Sequence, residues 1–99
     1  MPVYILMSKL TEHGVSCVMD DPSCLRSISM DIENLGVKVL DQYATLGEYD
    51  FVHVIEAPDN ESIARVSMEL IAHGNLKPLT LPTISINDFI SRLSLDRRP

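Results

Sequence analysis

A chain of 99 residues with 45% hydrophobic and 22% charged content is one folded domain and not a disordered segment. A formal net charge of −6, from 14 acidic and 8 basic residues, repels phosphate backbones and argues against a nucleic-acid partner. No apolar run reaches the roughly 20 residues of a membrane span, and the start MPVYILMSKL lacks the features of a signal peptide, so a cytoplasmic protein with no membrane partner is expected.

Val3 to Leu10 is apolar at both alternating positions, the pattern of a central strand covered on two sides. Thr11 can cap a short helical turn over residues 15–19, which Gly14 and Val15 weaken. Asp20-Asp21-Pro22 then opens a helix whose apolar face is Leu25, Ile28, Ile32 and Leu35, and Gly36 stops it. Residues 37–46 read as a second strand, exposed enough to be an edge. Gly47-Glu48 closes a hairpin into residues 50–56, a second central strand. Asp59 caps the next helix, with Ile63, Val66, Leu70 and Ile71 on its buried face. Residues 76–84 form a fourth strand. Pro78 and Pro82 lie four apart, so their missing N–H groups fall on one side, which suits an edge. Ser85 opens a last helix with Ile86, Phe89, Ile90 and Leu93 on one face. Residues 1–95 make the single domain, and residues 96–99, with the Arg97-Arg98 pair, read as a solvated tail.

This order, β-α-β-β-α-β plus a terminal helix, predicts a ferredoxin-like α+β sandwich with strands ordered 4-1-3-2, the arrangement that two right-handed crossovers joined by a hairpin give. Both main helices then cover one sheet face. The other face is left with aliphatic residues from the central strands, and a homo-oligomer that buries it is expected, most simply a dimer with sheets face to face.

The stretches Gly47-Glu48-Tyr49-Asp50, Tyr4-Ile5-Leu6, Lys9-Leu10-Thr11, Tyr43-Ala44-Thr45-Leu46, Glu56-Ala57-Pro58-Asp59 and Ala72-His73-Gly74-Asn75 together resemble the GYD-domain family of small bacterial and archaeal proteins. The resemblance spans nearly the whole chain. It implies a ferredoxin-like fold of the dimeric α/β-barrel kind and implies no activity. Cys17, Cys24 and His53 stand outside the pattern.

Two groups of residues invite a functional reading. Tyr43, Thr45, Tyr49 and Asp50, with Lys9 nearby, can line a ligand site at the hairpin end for an anion or a carbonyl. They can equally serve the turn itself. His53, mid-strand, shares a face with Phe51 and Ile55 and is a candidate general base, with Tyr43 or Asp41 as partner. It can equally be a packed histidine. Cys17 and Cys24 fit neither a redox nor a zinc half-site and are expected to be free thiols. His13 and Cys17 share helical spacing but lack further ligands, so no metal is expected. No phosphate loop is present, and no cofactor is expected. The sequence thus predicts a small oligomeric protein binding a metabolite or a protein partner. A cofactor-independent enzyme acting on a small aromatic or carbonyl compound is the alternative.

Overall fold

The computed structural model describes residues 1–96, so the Arg97-Arg98 pair lies outside the described residues. The elements are β1 (Val3–Leu10), α1 (Glu12–Asp20), α2 (Cys24–Asn34), β2 (Lys38–Ala44), β3 (Phe51–Glu56), α3 (Asn60–His73), β4 (Leu76–Pro82) and α4 (Ile86–Asp96). The sheet runs β2-β3-β1-β4 with every neighbouring pair antiparallel. That is the order expected from the strand pattern, with the two doubly apolar strands in the middle and the proline-bearing strand at an edge. Helix α4 continues through Asp96, the first residue of the expected tail.

Local chemistry explains most boundaries. Thr11 Oγ1 accepts from Gly14 N at 3.0 Å and starts α1, while Asp59 Oδ1 accepts from Ser62 N at 2.8 Å and starts α3. Ser85 Oγ does the same for α4, accepting from Asp88 N at 3.1 Å. Gly47, at φ 115°, takes the left-handed turn between β2 and β3.

Helix α1 is longer than the expected short turn. Gly14 has low helix propensity, but it lets the helix press on the turn after α3, where a Cβ at position 14 would sit 2.1 Å from Asn75 O. The same carbonyl accepts from Thr11 N at 3.1 Å. Helix α2 starts later than Asp20-Asp21-Pro22 suggests. Asp21 Oδ1 accepts from Ser23 N at 3.1 Å and from Ser23 Oγ at 2.7 Å, building a turn ahead of the helix. Those bonds hold the Asp21 carboxyl below the usual range. Strand β2 is shorter than expected and shifts register between Val39 and Asp41, a bulge that suits an edge.

The expectation of two free thiols is overturned. Cys17 and Cys24 form a disulfide, their Cα atoms 6.3 Å apart, because the chain doubles back between α1 and α2. A seven-residue separation carries no signal of that reversal.

The core lies between the sheet and its helices. Tyr4, Leu6 and Ile55 face Ile28, Ile32, Ile63, Val66 and Leu70, all buried. Ile71, expected on the same stripe, is 52% exposed. On the opposite sheet face Ile5, Met7, Val52 and Val54 are only partly buried, and Leu79 and Leu81 are exposed. Every residue of α4 from 86 to 95 is exposed, including the apolar side of Ile86, Phe89, Ile90 and Leu93. The described residues measure 61 × 29 × 18 Å, a long shape for so short a chain.

Candidate functional site

His53 sits in the middle of β3, opposite Leu6 of β1 and Gln42 of β2. The pleat that buries Leu6 and Ile55 also turns His53 under the helices, so it occupies the helix-covered face and not the open one. Its side chain is 5% exposed and its Nδ1 has no hydrogen-bond partner. Burial lowers its pKa from the ordinary histidine value, so the ring is neutral at pH 7. Ser8 of β1, one diagonal step away on the same face, is fully buried, and its Oγ is likewise unpartnered.

A cavity of about 220 Å³ lies beside this histidine, between α2 and the sheet. Leu25 and Ile28 of α2 form one wall; Phe51 and His53 form the floor; Leu76 of β4 closes the far side. Gln42 and Ala44 complete it at the exposed edge strand, which makes that edge its mouth. Ser29 Oγ donates to Gln42 Oε1, strapping α2 to β2 there. The lining contains no Asp, Glu, Lys or Arg.

Tyr43 borders the same cavity, but it pairs with Val52, and the pleat sends its side chain to the open face, where it is 58% exposed. The tyrosine hydroxyl and the imidazole therefore belong to opposite faces. Asp41 also pairs on the open-face register, opposite Val54, so neither expected partner reaches His53.

The other hairpin residues do converge. Thr45 Oγ1 donates to Tyr49 O at 2.7 Å, and Thr45 N donates to Asp50 O at 2.8 Å. Asp50 Oδ2 accepts from Leu10 N at 2.8 Å, and Asp50 N donates to Ser8 O at 2.9 Å. Thr45 and Asp50 thus use their polar groups to close the turn and end β1. Lys9 Nζ lies 3.5 Å from Glu48 Oε1 and 5.3 Å from the Tyr49 ring centre, a solvated cluster of one cation, one anion and one aromatic face. Cys17, in its disulfide, offers His13 no thiolate.

Sequence reasoning named His53 but missed the cavity. Its other walls come from α2 and β4, far away in the chain. The available signal was polar: Ser8 and His53 each interrupt an otherwise apolar strand at a position that turns out to face inward.

The GYD domain family matches residues 4–93 of this chain. The glutamine synthetase and cystathionine beta-lyase binding protein of Thermus thermophilus is 39% identical over 94 residues, which cover 94% of this chain and 99% of that protein. The crystal structure of TTHA0845 from Thermus thermophilus shares the fold, with a TM-score of 0.58 at 20% identity over 86% of this chain and 95% of that one.

Proposed function

Since this chain belongs to the GYD domain family, we propose that it is a partner-binding protein whose target is a metabolic enzyme of the glutamine synthetase or cystathionine beta-lyase kind. The observation that carries this reading is the similarity, over nearly the full length of both chains, to a protein named for binding those two enzymes. Two apolar surfaces left partly or wholly exposed bear on assembly and docking. The open sheet face around Val52 and Val54 is aliphatic and only partly buried, and in this proposal a second copy covers it. Helix α4 presents Phe89, Ile90 and Leu93 on an exposed amphipathic helix, a form that lies readily in a groove of another protein. The proposal keeps the expected cytoplasmic setting, where such a partner would be met.

The test is binding of the full chain to the host's purified glutamine synthetase and cystathionine beta-lyase by biolayer interferometry. Wild type binds at least one enzyme, and Phe89→Asp weakens that binding about tenfold or more. If neither enzyme binds, or if Phe89→Asp binds as wild type does, the reading fails.

The alternative, a cofactor-independent enzyme of the dimeric α/β-barrel kind, draws on one observation, the cavity beside His53. A lone neutral imidazole, with no carboxylate in the lining and Tyr43 turned to the other face, is equipped to hold a molecule more than to turn it over.

A further inference from the structure

We infer that the cavity under α2 is a binding site for a small uncharged carbonyl compound with an aryl body, its oxygen accepting a hydrogen bond from His53. The site is independent of the enzyme-docking surface on α4. Its size sets the first limit. A dry apolar cavity of about 150 Å³ holds a benzene ring, so about 220 Å³ takes a ring with a short substituent.

The walls set the second limit. Leu25, Ile28, Phe51 and Leu76 offer apolar surface, and no charged side chain lines the space, so a carboxylate or an ammonium would lose its water without compensation. His53 sets the third. Its Nδ1 is sealed from solvent and unpartnered. An orphaned acceptor costs less than an orphaned N–H. The favoured tautomer therefore leaves Nδ1 bare and carries its proton on Nε2, the ring nitrogen not sealed away. Apart from the Gln42 amide at the mouth, that N–H is the side-chain donor among apolar walls, and a carbonyl oxygen is its natural complement. The exposed β2 edge at Gln42 and Ala44 supplies the entry, with the Ser29–Gln42 contact across it.

The test is an NMR titration of the full chain with three probes of one shape: acetophenone, its hydrocarbon isostere α-methylstyrene, and benzoate. Acetophenone should shift the methyl signals of Leu25, Ile28 and Leu76 together with the His53 ring nitrogens. It should bind about tenfold more tightly than α-methylstyrene, the worth of one buried hydrogen bond. Benzoate should leave these signals unmoved. His53→Leu should erase the preference for acetophenone while α-methylstyrene still binds. Leu25→Trp, which fills the cavity from α2, should abolish both and guards against a His53 variant that does not fold. Equal affinity for ketone and hydrocarbon in wild type overturns the proposal, as does no shift up to the solubility limit. Shifts confined to α4 or to the open sheet face overturn it too.

Discussion

A methyl group at position 14 would lie 2.1 Å from the carbonyl oxygen of Asn75, a backbone atom that cannot move without disturbing the α3–β4 turn. Helix propensity alone says that Gly14→Ala should stabilise α1 by about 1 kcal/mol. The contact reverses the sign, and a net loss of about 2 kcal/mol is expected from overpacking, measured as a lower urea midpoint. His53 yields a second prediction at this scale. Its pKa is lowered by burial, so the folded chain refuses a proton that the unfolded chain accepts. Above about pH 6.5, the unfolded histidine value, both states are neutral and this effect costs nothing. As the pH falls through that value stability falls with it, by at most about 1.4 kcal/mol per unit, until the lowered folded value is passed. Urea melts at about pH 7.5 and about pH 5.5 should show the loss in wild type, and His53→Leu should reduce it. Asp21 and Asp59 act in a separate window. Their capping bonds lower their pKa values, so their contribution is present above the ordinary carboxylate range and is lost as the pH falls through the folded values.

The paired helices α1 and α2 are joined by more than packing. The Cys17–Cys24 bridge ties the second half of α1 to the first residue of α2. Closing so short a loop stabilises the fold by about 2.5 kcal/mol in the chain-entropy account. Replacing both cysteines with serine should therefore lower the unfolding free energy by about 2 kcal/mol, and wild type in strong reductant should match the double variant. If the double variant melts like oxidised wild type, the bridge contributes nothing. Leu25 and Ile28 stand on the helix that the bridge anchors, so losing it should also raise amide exchange in the first turn of α2 before the rest of the helix. Disulfides persist mainly outside reducing compartments. That sets this bridge against the cytoplasmic setting, and a count of reactive thiols in freshly lysed cells tests the two together.

Across the whole molecule the unusual feature is what remains uncovered. The sheet has helices on one face only, and α4 adds to the 61 Å length without burying a residue between 86 and 95. If a second copy covers the open sheet face, light scattering should give twice the chain mass, and Val54→Lys should halve it. Phe89→Asp should leave that mass unchanged while weakening binding to the target enzyme. A monomeric wild type would remove the sheet-face dimer and leave that face free for another protein. The two surfaces are thus separable by one substitution each.

Much of this arrangement was legible in the residues. Thr11, Asp59 and Ser85 cap helices through bonds that reach three residues along the chain, so local pattern suffices to place them. Strand order followed from apolar periodicity, from the handedness of crossovers and from two prolines that need an unpaired edge. What stayed hidden depends on contacts between distant positions. Gly14 meets Asn75, Cys17 meets Cys24 across a reversal, and α2 roofs a cavity floored by β3. Alternation by two groups His53 with Phe51 and Ile55, and Val52 with Val54, but both groups are apolar enough to be buried. Which of them lies beneath the helices is decided only when the helices pack, and that choice enclosed the histidine and left the valines only partly buried.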